Sequence, residues 1–430
     1  MVRGFNQSYK FDWNEEQVRR HLIRITCLGG RATDTQGKVY ISQGMDNTTA
    51  AGPPDGGKKS RYWVRETGFI SEDFITEVDK LLQAALQGDH IVQQVNDALK
   101  DELREMDRVQ NKKTRLFCSS STIYCVLQKV VFGPVVEYFC NNRSGYPLQC
   151  GLNVHSPEWG MIQRRVMKNA PNYIGGDQSG QDKTIPREFT RYFIKFCKYK
   201  FKSNEEWYRL VEGIGDGISN VIHHNPAYTY LYDRGNSSGN WMTSFYSSFS
   251  TLIALNYAYM AGMIEQGIGS EKWDFTRDVS IVVYGDDNLG STLEEVKWFN
   301  NMFIRDKFAD LGMAFTTPDK KDVDKPFLEE DDLEFLCRRF SMTGHERMLG
   351  STAAPLSQTS IVGMLSHVNK PSWNQDIDSK LFEVKLAVEL ELCHHGKEGK
   401  KFQKQLNELF QRRGINMVLD MDRYAKEHFS

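Results

Sequence analysis

The apolar positions Val279, Ile281, Val282 and Val283 form a β-branched run bounded by polar residues, which predicts a buried strand. The run ends at Tyr284-Gly285-Asp286-Asp287-Asn288, where Gly and Asn favour a tight reversal, and Leu289 begins a returning strand. Elsewhere the pattern is mostly helical. Residues 71–106 carry Leu81, Leu82, Ala85 and Leu86 on one face, then Val92, Val95 and Leu99, and predict helix throughout. Further helices are expected over 124–140, around 159–167, over 188–200 and 204–222, from 244 onward, and over 294–311. A short strand breaking into a turn is expected within 172–186, and a strand and turn within 313–321. Residues 1–45 mix both signals, 48–59 read as a turn-rich loop ending in two lysines, and 341–430 as mostly helical. No internal repeat or low-complexity tract is visible.

At 430 residues the chain exceeds a single core, so two or three subdomains are expected. The net charge of −2 excludes a histone-like polycation, although a local basic channel would still steer phosphates. Eight scattered cysteines with no Cys-x-x-Cys pair predict reduced thiols in a cytosolic setting, without a disulfide framework or a zinc site. Cys393-His394-His395 has no second cluster near it in sequence and reads as core or surface. The polar start, residues 1–8, predicts no signal peptide. The most membrane-like stretch, 245–264, is interrupted by Ser, Thr and Asn. Its large residues Phe245, Phe249, Ile253 and Tyr257 recur every four positions, so a packed helix and no transmembrane segment is expected. The sequons at Asn47, Asn142 and Asn236 read as chance matches.

Chemistry enters with the hairpin tip. Adjacent carboxylates at Asp286 and Asp287 repel each other unless a cation neutralises them. Metal-assisted phosphoryl transfer needs two divalent cations about 3.5–4 Å apart, and a few aspartates on rigid strands suffice to hold them. Asp177, at the end of a predicted strand, can complete such a set. A triphosphate then needs cationic side chains, for which Lys113 and Arg115 are candidates, and Lys320 can protonate a leaving pyrophosphate. Each feature has an ordinary reading by itself. The tip can be a solvated turn, Asp177 a helix cap, Lys320 a turn residue, and Ser238-Gly239 a flexible connector. Lys100 and Arg104 suit a solvated helix with i,i+4 ion pairs, whereas 112–115 has no nearby acids. Their joint occurrence, in this order, favours phosphoryl transfer.

In that order the motifs resemble those of viral RNA-dependent RNA polymerases of the picornavirus-like positive-strand group. Thr49-Ala-Ala-Gly52-Pro53-Pro54 is similar to the family's template-admitting motif. Lys100-Asp-Glu-Leu-Arg104, with Arg108, Lys113 and Arg115, resembles the basic finger motif, Arg108 standing for a usual lysine. Asp177 and Asp182 resemble the first palm motif, and Ser238-Gly239 with Thr243 the template-handling loop and its helix. Ser247 stands where the family usually has the Asn that helps read the 2′-hydroxyl. Tyr284-Gly-Asp-Asp287 resembles the palm hairpin, and Lys320 falls on the proposed general acid. Phe335-Leu-Cys-Arg338-Arg-Phe340 resembles the primer grip, with Cys337 for the common lysine.

The resemblance implies an α+β right-hand polymerase with an antiparallel palm sheet flanked by helices and a mostly helical thumb. Fingers would span 1–170 and 188–228, palm 171–187 and 229–340, and thumb 341–430. It implies Mg²⁺ at Asp177, Asp286 and Asp287, with Mn²⁺ able to substitute. Lys113 and Arg115 would bind the triphosphate, with Arg108 along its approach path. Asp182, Ser238, Thr243 and Ser247 would address the nucleotide. Thr49, Gly52, Pro53, Gly239, Phe335 and Arg338 would address RNA. Implied partners are an RNA template and primer, ribonucleoside triphosphates, a small viral protein primer and further copies of the chain. The implied setting is the host cytoplasm, at membrane-associated replication complexes. A reverse transcriptase and a catalytically idle RNA-binding replication scaffold are the alternatives. Asp182 disfavours the first, which normally blocks the 2′-hydroxyl with a bulky group, and the intact acidic pair disfavours the second.

Overall fold

The computed structural model describes residues 8–54, 56–100, 106–341, 352–366 and 376–428. The chain forms two compact units. The first comprises Met1–Asn142, Gln178–Tyr257 and Lys307–Ala314, and the second Arg143–Asp177, Ala258–Asp306 and Phe315–Ser430.

The first unit is built on a sheet whose spatial order is Leu116–Ser120, Gln93–Leu99, Val221–His224, Thr229–Tyr232. The outer pairings are antiparallel and the central one is parallel. Gln93–Leu99 is therefore strand where the sequence pattern suggests helix. The helix Glu72–Leu86 stops before Gly88, whose φ of +101° takes the backbone out of the helical region. Beyond it Gln93 and Val95 are buried while Gln94 and Asn96 are exposed, the alternation of a strand. The expected helix over 204–222 also ends early. Glu205–Gly215 gives way to a 3₁₀ turn at Asp216–Ile218 and then to Val221–His224, which pairs with Gln93–Asn96. Short apolar runs fit either period, and here distant strand partners decide.

The helices of this unit pack on one another. Ser71 caps Glu72–Leu86 by accepting the Phe74 N–H at 3.3 Å. Arg19 on Glu16–Leu28 meets Asp79 in a buried two-point pair, at 2.5 and 3.2 Å. Thr122–Asn141 is the one helix among the described residues long and apolar enough to cross a membrane, and 72% of its apolar window is buried. That corrects the choice of 245–264 as the most membrane-like stretch. Thr243–Glu265 carries the expected four-residue repeat, with Phe245 and Phe249 buried and Tyr257 exposed. The sequon residues Asn47 and Asn236 have buried side chains, which leaves no room for a glycan.

In the second unit a four-stranded sheet runs Val279–Tyr284, Asp287–Thr292, Tyr173–Ser179, Ala314–Thr316. The first three strands are antiparallel. Beneath them, Trp159, Ile162 and Val166 of the helix Glu158–Val166 pack with Val282, Leu289, Tyr173 and Phe335. The expected helix over 294–311 is split into a 3₁₀ turn at Glu294–Val296 and a helix at Asn301–Asp310. Asn300 starts the second piece by accepting the N–H groups of Met302 and Phe303, both at 3.1 Å. Toward the C-terminus, Gln358–Ser366, Ile377–Leu392, Gly396–Gln411 and Met421–His428 enclose a core of Ile361, Val388, Leu392, Leu406 and Phe410.

Two adjacent glycines let the central strand sit this close to its neighbours. A Cβ at Gly175 would lie 2.8 Å from the Asn288 carbonyl oxygen, and one at Gly176 would lie 2.3 Å from the Thr316 carbonyl oxygen. Gly176→Ala should push these backbones apart and cost about 1–3 kcal/mol. A thermal unfolding midpoint several degrees below wild type is expected, and an unchanged midpoint would count against the packing described.

Candidate active site

The hairpin pairs Tyr284 with Asp287, leaving Gly285 and Asp286 as the turn, with Gly285 at φ +64°. Its second strand pairs with the strand carrying Asp177, Asn288 lying opposite Gly176. The next rung of that register brings Asp287 opposite Asp177. The Asn288 side chain fixes the rung by donating to the Gly176 carbonyl at 2.9 Å. Residues remote in sequence thus deliver three carboxylates, of Asp177, Asp286 and Asp287, to one end of one sheet.

The electrostatics record their proximity. The Asp287 carboxyl is pushed up to about 8, first by burial and then by the negative charges of Asp177, Asp286 and Glu334. One donor opposes that shift. The backbone N–H of Leu336 reaches Asp287 Oδ2 at 2.5 Å. Lys320 Nζ lies 3.3 Å from Asp177 Oδ2, and its side chain is mostly exposed. Carboxylates crowded until one retains its proton are the donor set expected for a hard divalent cation, so these residues fit such a metal.

The Leu336 donor sits in a two-residue turn between Glu334–Phe335 and Arg338–Arg339. Leu336 and Cys337 both have positive φ, +55° and +58°, uncommon for residues with a side chain. Phe335 is fully buried, stacked 6.3 Å from Trp159, and Arg338 grips Glu391 with two contacts of 2.7 Å. Neither side chain faces solvent. Both hold the hairpin in place, which corrects their assignment as RNA-touching groups, and Cys337 and Arg339 are its exposed side chains.

In the first unit a cavity of about 240 Å³ is lined by Asp182, Asn236, Ser237, Tyr232, Arg234 and Cys118, among others. Asp182 is exposed there. Ser238 Oγ accepts the Cys118 N–H at 2.9 Å, and a Cβ at Gly239 would strike the Cys118 carbonyl oxygen at 2.3 Å. The loop is therefore seated on the strand Leu116–Ser120 and is not a loose connector. Thr243 Oγ1 bonds the carbonyls of Ser237, Ser238 and Asn240, a cap holding the loop shut. Ser247 is buried and accepts a bond from the Asn236 amide at 3.2 Å. Asn236, which sequence reasoning missed, thus supplies an amide beside the position where the family's Asn is absent. Its local signal was hidden in a polar run, 235–240, that reads as linker.

Lys113 and Arg115 are exposed on the approach to Leu116–Ser120, and the Arg115 carbonyl accepts the Lys100 N–H at 2.9 Å. Residues 101–105, including Arg104, lie outside the described residues, as does the side chain of Arg108. The loop with Thr49, Gly52 and Pro53 is pinned to the start of the next helix, where Thr122 bonds the Ala51 carbonyl through N–H and Oγ1 at 2.9 and 2.6 Å. Thr49 Oγ1 accepts from Lys59 Nζ at 2.8 Å. Gly52, at φ +70°, approaches Ser120 so closely that a Cβ would lie 2.1 Å from its carbonyl oxygen.

Comparison with known proteins now decides the family. The profile of viral RNA-dependent RNA polymerases matches residues 15–413. The chain belongs to this family. The replicase polyprotein of Cricket paralysis virus is 26% identical over 347 residues, covering 76% of this chain and 19% of the polyprotein. That of Drosophila C virus is 25% identical over 424 residues, covering 93% and 23% respectively. The chain thus spans about a fifth of the length of these curated relatives. Among solved structures, the Sicinivirus 3Dpol RNA-dependent RNA polymerase is similar with a TM-score of 0.73 at 19% identity, covering 98% of this chain and 86% of that one. The fold is that of a right-hand polymerase, α+β as expected, and the family generally uses divalent metal ions.

The raised Asp287 carboxyl gives this polymerase-family chain a pH signature. Its ordinary value in an unfolded chain is about 3.9, so the folded metal-free protein holds a proton that the unfolded chain has lost. The stability it contributes is full below about pH 4 and is lost as pH rises through about 8. Thermal stability in chelator should therefore fall between about pH 5 and 8, with a flatter profile for Asp287→Asn, and added Mg²⁺ should restore more at pH 8 than at pH 6. Equal slopes for wild type and variant would contradict the assignment.

Proposed function

We propose that this chain carries out template-directed RNA synthesis, adding ribonucleoside triphosphates to an RNA 3′ end in the replication of a positive-strand RNA virus. The observation that carries the reading is the convergence of Asp177, Asp286 and Asp287 on one sheet end, with Lys320 beside them. Asp177 and Asp286 would hold Mg²⁺, with Mn²⁺ able to substitute and Asp287 more peripheral; the metal supplies charge stabilisation and an activated attacking oxygen. Lys320 would leave Asp177 for the departing pyrophosphate and give it a proton from Nζ. Lys113 and Arg115 would grip the triphosphate, and Arg108 would line its approach.

Ribose selection would rest on Asp182 and Ser238, with Ser247 held in register by Asn236. Base pairing with the template reads sequence, so the protein need only position backbones. Thr49, Gly52, Pro53 and Gly239 would shape the template path, with the hairpin anchored by Phe335 and Arg338 supporting the nascent end. Fingers at 1–170 and 188–228, palm at 171–187 and 229–340, and thumb at 341–430 belong to the same proposal. So do a small viral protein primer, self-association and cytoplasmic replication complexes at host membranes.

Asp286→Ala should cut primer extension on a defined RNA template by roughly a thousandfold, equivalent to about 4 kcal/mol, with RNA binding retained. Extension near the wild-type rate would refute the metal assignment. Asp182→Ala should lower the preference for ribonucleotides over deoxyribonucleotides by roughly tenfold, the worth of a hydrogen bond or two. An unaltered ratio in paired incorporation assays would remove Asp182 from sugar selection.

A further inference from the structure

Three metal-ligand side chains that the polymerase reading does not use meet on one face of the first unit's sheet. Asp97 lies directly opposite Cys118 in the antiparallel pairing. His223 lies opposite Val95 in the parallel pairing, two residues along from Asp97 and on the same face. Tyr230, opposite His223, completes the row. Adjacent strands are about 4.7–4.9 Å apart, so the backbone alone brings these side chains together before any ligand arrives.

Their separations bracket those along one face of a coordination tetrahedron. Cys118 Sγ is 3.3 Å from Asp97 Oδ1, His223 Nδ1 is 2.8 Å from the same oxygen, and Sγ is 3.9 Å from Nδ1. A tetrahedral Zn²⁺, with bonds of about 2.3 Å to sulfur and about 2.0–2.2 Å to nitrogen and oxygen, sets such atoms about 3.4–3.6 Å apart. The three donor atoms lie within 4.8 Å of one another. Small side-chain rotations would admit the ion. Tyr230 OH already donates to the other Asp97 oxygen at 2.7 Å and orients the carboxylate.

We propose that Asp97, Cys118 and His223 form a Zn²⁺ site, with the fourth position open to the cavity that holds Asp182, Asn236 and Ser237. Cys118 and His223 line that cavity, so a water or a substrate oxygen can complete the tetrahedron. One thiolate and one carboxylate neutralise the dication, so the occupied site itself carries no net charge beside Asp182, Lys183 and Arg234 of the same cavity. Binding releases the Cys118 thiol proton to solvent and requires His223 to carry its proton on Nε2. The Cys118 N–H holds Ser238 Oγ, so fixing this residue also fixes the loop beside the cavity. An N/S/O donor set of this kind selects Zn²⁺ over Mg²⁺, which sets it apart from the all-carboxylate cluster in the second unit.

The test needs neither RNA nor nucleotide, so it stands or falls separately from the polymerase reading. Titrating Co²⁺ into the full chain under excess Mg²⁺ should give a thiolate-to-cobalt charge-transfer band at one equivalent, displaced by Zn²⁺. Cys118→Ser should abolish the band, Cys393→Ser should leave it, and His223→Ala should weaken Zn²⁺ affinity by at least about tenfold. A second measurement avoids variants altogether. Stoichiometric Zn²⁺ should slow alkylation of Cys118 in the wild-type chain at least about tenfold, read by peptide mass spectrometry, with Cys140 labelling as before. Absence of the band, its survival in Cys118→Ser, or unprotected labelling of Cys118 would overturn the site and leave a hydrogen-bonded network only.

Discussion

Mutual repulsion among Asp177, Asp286 and Asp287 is the constraint around which the second unit is arranged. Burial holds the Asp287 carboxyl at about 8, so the folded chain carries a charge conflict that only a cation or a proton relieves. The neighbouring features set this conflict up and relieve part of it, Lys320 doing so beside Asp177. The antiparallel register sets the carboxylates on adjacent strands, and Gly175 and Gly176 allow the strands to close. Among the described residues, Leu336 supplies the one backbone donor directed at Asp287. That donor depends on a turn with two side-chain-bearing residues at positive φ, held from behind by buried Phe335 and the Arg338–Glu391 pair. Strain of this kind persists where surrounding packing over-determines it.

The first unit solves a different problem, that of presenting polar groups without letting them wander. Its Ser- and Asn-rich loop is pressed onto a strand by Gly239, bonded to it through Ser238, and closed by Thr243. Gln93 extends the network from beneath, its amide reaching Ser120 Oγ at 2.7 Å and Asn240 Oδ1 at 2.9 Å. The strand that follows Lys113 and Arg115 is thus the same strand that positions the loop beside Asp182. The groups proposed to bind phosphate and to read the sugar thus share one rigid support, which limits the freedom either could have alone.

Some of this was legible in the residues themselves. A β-branched run ending in Gly-Asp-Asp can do little but form a buried hairpin with charges at its tip, because local sterics and burial act on neighbours in sequence. The helices at 124–140 and 188–200 likewise follow from a period that the chain carries internally. The strand Gln93–Leu99 was not legible, since Val92, Val95 and Leu99 suit a helix as well, and its partners lie more than a hundred residues away in one direction. The break at Asn300 was missed because a cap competes with a periodic pattern only once the preceding turn is placed.

The sequence by itself determined which chemistry was available, namely acidic oxygens at a rigid tip, a basic stretch before a strand, and a polar loop before a long helix. Tertiary structure decided which of those groups are buried and which stay accessible. It buried Phe335 and Arg338 as anchors, turned Thr243 into a cap, gave Asn236 to Ser247, and gathered Asp97, Cys118 and His223 from three strands. The reason is that side-chain identity is local, whereas burial, register and mutual distance are set by pairings between segments far apart in the chain.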